Sequence, residues 1–260
     1  MDAMEYLEVH GEHIPKIGLG TWQMRGESCR RGVLSALEKG YRHIDTAEYY
    51  RNEREVGEAL KDSGLEREEF FLTSKVWSNH FQRDQVREAC RASLDRLGLD
   101  YLDLYLIHHP TEAVPLEETL AGMQDLVDEN LTRYIGVSNF PVSLLERSRS
   151  LSSVPIFTDQ VKFHPYHGQE ELVAFCQEHD VLLTAYSPLA QGRILGDRHL
   201  QKIGGRYGKS AAQVALRWVV QQQNVITIPK ASTPEHQAAN LDVFDFELTA
   251  EEMEAVASLG

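Results

Sequence analysis

Long apolar runs are absent from this chain. None of its 260 residues lies in an uninterrupted apolar stretch close to the ~20 residues that a membrane-spanning helix needs. The first ten residues are acidic and lack the basic-then-apolar pattern of a signal peptide. We therefore expect no membrane association and predict a cytoplasmic location.

Cysteine is scarce as well. The three cysteines, Cys29, Cys90 and Cys176, are scattered along the sequence and show no CxxC or Cys/His ligand spacing. This pattern gives no support for a disulfide framework or a zinc site. Each cysteine falls in a segment with a helical pattern, so we expect buried or partly buried free thiols.

Positive charge is limited, and lysine especially so. Only eight of the 26 basic residues are lysines, 40 residues are acidic, and the formal net charge is −14. A chain this acidic repels a phosphate backbone, so we expect no nucleic-acid partner. An acidic, lysine-poor surface also suits a salty cytoplasm, where charges are screened.

Alternating strand and helix patterns fill the rest of the sequence. A composition of 42% hydrophobic and 25% charged residues is typical of a globular protein. Eight short apolar runs indicate buried strands. They lie at Ile17–Thr21, Tyr41–Asp45, Phe70–Val76, Tyr101–Ile107, Tyr134–Val137, Ile156–Val161, Val181–Ala185 and Val225–Ile228.

A helical pattern follows each strand. Several of these helices end at a glycine, as expected for a helix C-terminus. The segment Leu195–Tyr207 has a looser pattern. The predicted helices are Glu27–Lys39, Glu53–Ser63, Asp84–Leu97, Leu116–Glu129, Val142–Ser148, Gln169–His179, Ser210–Gln222, Pro234–Leu241 and Ala250–Ala257.

Strict strand–helix alternation predicts an α/β protein with a parallel sheet. Eight units in this length favour a single (β/α)₈ TIM barrel over residues 1–260, with a short N-terminal hairpin and extra C-terminal helices. The alternative is an open, doubly wound sheet, which usually has fewer strands and a phosphate-binding glycine turn after the first. The run at 18–22, G-L-G-T-W, lacks the third glycine and the downstream acid of that turn.

In such a barrel the strand C-termini form the active face. Chemically active side chains follow several predicted strands at this face, and three neighbouring strands carry ionisable ones. The residues are Thr21, Trp22, Asp45, Tyr50, Lys75, His108, His109, Ser138, Asn139, Gln160, Tyr186 and Lys230. Taken singly, each has a structural alternative: a helix-capping Asp45, a packed Tyr50, a solvated Lys75 or a core His108.

Taken together, these groups suit proton transfer to an oxygen. A phenol is a poor acid at neutral pH, and we expect the Lys75 ammonium to lower the pKa of Tyr50 while Asp45 holds Lys75 charged. His108 can hydrogen-bond and orient a carbonyl oxygen. No activated Ser or Cys nucleophile accompanies them.

The ordered motifs of this chain resemble those of the aldo-keto reductase family, in the style of compact prokaryotic 2,5-diketo-D-gluconate reductases. They span Gly18 to Asn240 in the family's order, which makes the set specific. The motifs are G-L-G-T-W (18–22), D-T-A-E-Y-Y-R-N-E (45–53), T-S-K-V-W (73–77), L-I-H-H-P (106–110), I-G-V-S-N-F (135–140), D-Q-V (159–161), A-Y-S-P-L (185–189) and I-P-K-A-S (228–232).

The resemblance implies hydride transfer from NADPH to an aldehyde or ketone, with small carbonyls, sugars or diketo sugar acids as substrates. It assigns Tyr50 as the general acid, Lys75 and Asp45 as groups that tune it, and His108 as the group that orients the carbonyl. It implies nicotinamide contacts for Ser138, Asn139 and Gln160, with Tyr186 stacked on the ring. The full implied cofactor set is Gly20, Thr21, Trp22, Asp45, Ser138, Asn139, Gln160, Tyr186, Ser187, Pro188, Leu189, Gly192, Pro229, Lys230, Ala231, Ser232, Thr233, His236 and Asn240.

The chain departs from the family pattern near its C-terminus. His236 stands where many relatives carry an arginine, and Ala239 stands where they carry an acid. An imidazole attracts a phosphate less than a guanidinium fork does. We therefore expect a reduced preference for NADPH, with use of NADH as well.

A second departure concerns the substrate pocket. His109 stands where relatives usually place a large aromatic residue, and adjacent strand residues point to opposite sides, so we expect no metal shared by His108 and His109. The expected substrate contacts are Trp22, Tyr49, Trp77, His108 and His109. A short loop at Thr111–Leu116 and the end of the chain at Gly260 favour an open pocket that tolerates many small carbonyls.

Two other functions are compatible with the fold. One is a non-catalytic nicotinamide-binding barrel with a regulatory role, which would have no need of the Asp45–Tyr50–Lys75–His108 set. The other is a barrel hydrolase that uses a metal or paired carboxylates. We predict the reductase, and we expect a monomer rather than an obligate oligomer.

Overall fold

The structure, a computed structural model, describes residues 4–260. Eight parallel strands are hydrogen-bonded to one another in the order in which they occur in the sequence. A separate antiparallel hairpin, β1 (Tyr6–Val9) and β2 (Glu12–Pro15), precedes them. The eight strands are β3 (Leu19–Gly20), β4 (His43–Asp45), β5 (Phe71–Val76), β6 (Leu102–Ile107), β7 (Thr132–Ser138), β8 (Ile156–Lys162), β9 (Leu182–Tyr186) and β10 (Val225–Thr227).

Helices fill the connections between the strands. Local signals fix several of their ends: α3 ends at Gly98 in the left-handed conformation, and Ser210 and Gln213 form a capping box at the start of α8. The helices are α1 (Gly26–Glu38), α2 (Glu53–Asp62), α3 (Arg83–Leu97), α4 (Leu116–Asp128), α5 (Val142–Leu151), α6 (Glu170–Glu178), α7 (Arg198–Gly204), α8 (Ala211–Val220), α9 (Pro234–Leu241) and α10 (Ala250–Ala257).

The sheet closes between its first and last strands. Ile17 forms a parallel bridge with Thr227, and the amide of Gly18 donates to the Thr227 carbonyl oxygen at 2.8 Å. A Cβ atom at Gly20 would lie 2.6 Å from the carbonyl oxygen of Ile228, so glycine permits the close approach of β3. Closure confirms the predicted (β/α)₈ barrel and excludes the open doubly wound sheet.

The barrel interior is apolar at the N-terminal ends of the strands, and the hairpin covers this end. Val9 and Ile14 from the hairpin are buried in one cluster with side chains from five strands. The strand members of this cluster are Phe71, Leu104, Leu106, Phe157, Leu182 and Ile226. The predicted N-terminal hairpin is thus confirmed, and it packs against the N-terminal ends of the strands.

The structure differs from the sequence prediction in a few boundaries. The first predicted strand, Ile17–Thr21, is reduced to Leu19–Gly20 because Ile17 makes only an isolated bridge. The loosely patterned segment Leu195–Tyr207 contains helix α7, whose first turn is capped by the Asp197 carboxylate. This helix has only seven residues, which is too short for a clear amphipathic period.

The structure also shows the lengths of the helices and the positions of the thiols. Among residues 4–260, no helix is both long and apolar enough to cross a bilayer. Cys29, Cys90 and Cys176 are buried free thiols, and burial raises the pKa of each to about 12. Such thiols stay protonated and therefore unreactive.

Phe157 packs at the centre of the apolar cluster at the N-terminal end of the barrel, and its replacement should destabilise the fold. Its ring is fully buried and lies 4.5 Å from the Tyr134 ring and 6.1 Å from the Phe71 ring. We expect Phe157→Ala to lower the free energy of unfolding by about 3–5 kcal/mol. Urea denaturation measures this, with Leu195→Ala, at a side chain that is 57% exposed, as the control. A loss no larger than that of the control would contradict the assignment.

Candidate active site

A cleft of about 270 Å³ opens at the C-terminal ends of the strands. Most of the residues that the sequence placed at this face line it together. The lining residues are Gly20, Trp22, Asp45, Tyr49, Tyr50, Trp77, His108, His109, Ser138, Asn139, Gln160, Tyr186, Ser187, Gln191, Ile228 and Lys230. Gln191 and Ile228 were not predicted to lie in the site. Ile228 begins the motif I-P-K-A-S, and Gln191 lies two residues after the motif A-Y-S-P-L.

A buried ion pair lies at the base of the cleft. The Lys75 Nζ donates to Asp45 Oδ1 at 2.5 Å and to the Thr46 carbonyl oxygen at 2.8 Å. The second carboxylate oxygen of Asp45 accepts from Gln160 Nε2 at 2.7 Å. Burial raises the pKa of Asp45 and lowers that of Lys75, and the attraction within the pair opposes both shifts.

Tyr50 lies directly above this ion pair. It belongs to a short 3₁₀ turn, Glu48–Tyr50, between β4 and α2, and its hydroxyl is 3.4 Å from Lys75 Nζ. Its ring packs between Trp22, at 4.9 Å, and His108, at 5.6 Å.

The surroundings as a whole shift the pKa of Tyr50 in the direction opposite to the one expected from Lys75 alone. Burial, the Asp45 carboxylate and Tyr186 raise the pKa of the Tyr50 phenol well above its ordinary value. The sequence places the two charged groups near the phenol but does not show how much water the fold removes around it. Tyr50 is consequently a fully protonated phenol at neutral pH, able to donate a proton to a base stronger than phenolate.

His108 and His109 both face the cleft, contrary to the expectation that they point to opposite sides. Strand β6 ends at Ile107, so strand alternation no longer applies, and the two rings stack at 5.1 Å with an interplanar angle of 7°. The premise used against a shared metal was therefore wrong. Among residues 4–260, however, no cluster of three or more His, Cys, Asp or Glu side chains could hold a metal ion.

Both imidazoles are kept neutral. Burial, with smaller contributions from Lys75 and His109, lowers the pKa of His108 to about 2. Burial followed by Lys75 also lowers the pKa of His109. A neutral His108 can donate one N–H to a carbonyl oxygen without supplying a full positive charge.

Three aromatic side chains form one wall of the cleft. Tyr49 stacks on Trp77 at 4.0 Å and lies nearly parallel to Trp22 at 5.9 Å. Trp22 and Tyr49 are 42% and 46% exposed, so this wall extends to the mouth of the cleft. The predicted substrate contacts thus border the space next to Tyr50 and His108.

The opposite wall is polar and its groups are tied to one another. Ser138 Oγ donates to the Gln160 carbonyl oxygen at 2.7 Å. The Tyr186 hydroxyl donates to Asn139 Oδ1 at 2.8 Å, and Asn139 Nδ2 donates to the His108 carbonyl oxygen at 3.2 Å. Hydroxyl and carboxamide groups beside an aromatic ring match a nicotinamide, which carries both an amide and a flat ring.

Part of the implied cofactor set does not line this cleft. Gly20, Trp22, Asp45, Ser138, Asn139, Gln160, Tyr186, Ser187 and Lys230 do line it. The others lie on flanking loops and on α9: Thr21, Pro188, Leu189, Gly192, Pro229, Ala231, Ser232, Thr233, His236 and Asn240. Among these, Asn240 Nδ2 is buried and has no hydrogen-bond partner in the described chain.

The low pKa of His108 predicts a pH dependence of stability. An unfolded chain binds a proton at this histidine below about pH 6.5, whereas the folded protein does not until about pH 2, so its contribution to stability falls as the pH falls through this window. Replacing His108 removes this pH-dependent loss of stability. We expect the stability difference between pH 6.5 and pH 4.5 to be smaller by roughly 2–3 kcal/mol in His108→Asn than in the parent protein.

Chemical denaturation at several pH values tests this expectation, and His199→Asn, at an exposed position, provides the matched histidine removal. Equal pH slopes for His108→Asn and the parent protein would contradict it.

Comparison with known proteins agrees with this geometry. A family model described as "Aldo/keto reductase family" matches residues 16–260. An aldo-keto reductase of Mycolicibacterium smegmatis is 43% identical over 251 residues, which cover 96% of this chain and 90% of that protein.

Solved structures give the same result. A crystal structure of a candidate 2,5-diketo-D-gluconic acid reductase B superposes with a TM-score of 0.97 at 42% identity, covering 99% of this chain and 92% of the other. The Bombyx mori aldo-keto reductase in complex with NADP has a TM-score of 0.92 at 36% identity, with coverage of 98% and 92%. The chain therefore belongs to the aldo/keto reductase family, and the expectation of an NADP(H)-dependent oxidoreductase acting on carbonyl compounds is confirmed.

Proposed function

We propose that this protein reduces small aldehydes and ketones, including sugars and diketo sugar acids, to alcohols, with Tyr50 as the proton donor. The observation that carries the proposal is the position of the Tyr50 hydroxyl. It lies 3.4 Å from the buried Lys75 ammonium, in a cleft shared with Ser138, Asn139 and Gln160. A carbonyl group bound in this cleft would therefore lie next to both the proton donor and the dinucleotide.

Tyr50 would protonate the oxygen that develops negative charge during reduction. An alkoxide is a much stronger base than a phenolate, so a phenol with a raised pKa can still transfer its proton to it. The resulting phenolate would be stabilised by Lys75, whose own charge is balanced by Asp45 at 2.5 Å. Lys75 and Asp45 act through Tyr50, so we describe them as positioning residues.

His108 would hold the carbonyl oxygen beside Tyr50. Its ring is 5.6 Å from the Tyr50 ring and packs edge-on against Trp77 at 5.0 Å, so its orientation is restricted. Because the imidazole is neutral, it would donate one hydrogen bond and leave proton transfer to Tyr50. Trp22, Tyr49, Trp77 and His109 would surround the rest of the substrate.

The polar wall and the loops beyond it fit a nicotinamide dinucleotide. When bound, NADPH supplies the hydride that adds to the carbonyl carbon. Ser138, Asn139 and Gln160 would hold the carboxamide, and the Tyr186 ring, anchored through Asn139, would pack on the nicotinamide. The buried, unpartnered Asn240 Nδ2 is a donor that the adenosine end could satisfy.

The proposed phosphate end of this site carries one exposed cation. Lys230 is exposed at the edge of the cleft. Ser232 and Thr233 precede α9 and His236 lies in its first turn, where the positive end of the helix dipole favours anions. These residues would contact the adenosine phosphate, and Ser187, Leu189 and Gly192 would line the pyrophosphate.

Further proposals concern the domain, the location, the assembly and the partners of the protein. We propose a single barrel domain over residues 1–260 that works in the cytoplasm as a monomer. The acidic charge of −14 supports the absence of a nucleic-acid partner. The open aromatic wall supports a substrate range of many small carbonyls rather than one bulky ligand.

Replacing Tyr50 should separate turnover from cofactor binding. We expect Tyr50→Phe to lower kcat by about 10²–10⁴-fold, because it removes only the acidic hydroxyl. NADPH oxidation at 340 nm with glyceraldehyde measures turnover, and quenching of tryptophan fluorescence measures NADPH affinity. Unchanged affinity with lost turnover supports the assignment. Full turnover by the variant would exclude Tyr50 as the acid, and no turnover by the parent protein would favour the regulatory barrel.

The exposed imidazole at His236 should weaken discrimination between the two cofactors. We expect the ratio of kcat/KM for NADPH to that for NADH to stay below about 10³, and His236→Arg to raise it by about tenfold through a charged, forked contact to the phosphate. Steady-state rates with both cofactors measure the ratio, and His199→Arg controls for the added charge. A parent ratio in the thousands would contradict this expectation.

A further inference from the structure

His109 is held in a fixed position next to the proposed carbonyl site. Its ring stacks on His108 at 5.1 Å, and Trp77 stands edge-on to both imidazoles, at 5.0 Å from His108 and 5.7 Å from His109. Both imidazoles line the same cleft. The pair therefore behaves as one packed unit in which His109 occupies a defined place one ring away from His108.

The hydrogen bonds of Asn139 fix the direction of its side-chain amide. One end of the amide lies 3.2 Å from the His108 carbonyl oxygen, which can only accept, so this end must be the NH₂ group. The other end accepts from the Tyr186 hydroxyl at 2.8 Å. The amide orientation thus follows from the chemistry of its partners.

This orientation fixes the tautomer of His109. Asn139 Nδ2 lies 3.1 Å from His109 Nδ1, 3.2 Å from the His108 carbonyl oxygen and 3.0 Å from Ser138 Oγ, so its two hydrogens are shared among three neighbours. An amide nitrogen is a donor only, so a proton on His109 Nδ1 would face a group that cannot accept it. The proton of the neutral imidazole is therefore on Nε2. The ring hydrogen bond of His109 to residues 4–260 is made through Nδ1, and His109 lines the cleft, so its Nε2–H is available to a molecule bound there.

We propose that His109 Nε2–H binds a second oxygen of the substrate, next to the carbonyl that is reduced, and so selects α-hydroxy aldehydes and 1,2-dicarbonyl compounds over simple aldehydes. This inference rests on the proposed function, in which Tyr50 and His108 hold the reacting oxygen. Oxygens on adjacent carbons are roughly 3 Å apart, by standard bond lengths. Two stacked imidazoles whose centres are 5.1 Å apart can each donate to one of them.

A simple aldehyde leaves this N–H without a partner. A donor that loses water on substrate binding and gains no acceptor weakens binding, whereas one that meets the second oxygen does not. Selectivity then comes from the hydrogen-bonding requirement of the site as well as from its size.

Three-carbon substrates isolate the second oxygen. Propanal lacks it, glyceraldehyde carries a hydroxyl on the adjacent carbon, and methylglyoxal carries a second carbonyl there. We compare the parent protein with His109→Phe and His109→Met, which lack the donor, and with His109→Gln, which retains an N–H. We expect the kcat/KM ratio of glyceraldehyde or methylglyoxal to propanal to fall by about tenfold in the Phe and Met variants, mainly through KM, and to recover largely in Gln.

Other results would overturn the inference. Ratios that stay unchanged in both donor-free variants would show that His109 does not read the second oxygen. A Gln variant with the same substrate ratios as the Phe variant would show the same. Loss of NADPH affinity in both donor-free variants, measured by fluorescence quenching, would show that these substitutions act through the cofactor site instead. A parent protein that oxidises NADPH with none of the three substrates would instead refute the proposed function itself, so the two failures are distinct.

Discussion

The ion pair between Lys75 and Asp45 is the interaction on which the site depends. Both groups are almost completely removed from water, and each would be costly to bury alone. The pair is stable because its donors and acceptors have partners: Lys75 donates to Asp45, to the Thr46 carbonyl oxygen and to the Tyr50 hydroxyl, and Asp45 also accepts from Gln160. These bonds link β4, β5 and β8 across the barrel, so the charge that supports Tyr50 is fixed by the closed sheet.

The barrel places this polar cluster at one end and an apolar plug at the other. Val9 and Ile14 from the hairpin pack with Phe71 and Phe157 at the N-terminal end. At the C-terminal end, polar side chains such as Asp45, Ser138 and His108 stand at or just beyond several strand ends, and the following loops open a cleft. Stability and chemistry therefore occupy separate halves of the same interior, as the geometry of parallel barrels favours.

Burial around Tyr50 changes how its chemistry should be understood. The environment raises the pKa of the phenol, so the residue is a firmly protonated donor rather than one poised to ionise. Under the proposed function, such a donor would transfer its proton only when a strong base forms, which would tie protonation to the reduction step. Asn139 adds a second link, since its amide contacts Tyr186 on the proposed cofactor side and His109 on the substrate side.

The sequence alone determined the alternation of eight strands and helices, and with it the set of residues at the strand ends: Asp45, Lys75, His108, Ser138 and Gln160 could be placed at one face because parallel strands bring their C-termini together. Local patterns also gave the hairpin and most helix ends. Only the tertiary structure decided three other matters: the closure at Ile17 and Thr227, the raised pKa of Tyr50, and the stacking of His108 with His109. Each depends on how closely distant segments approach and how much water they exclude, and neither quantity is contained in a local pattern of residues.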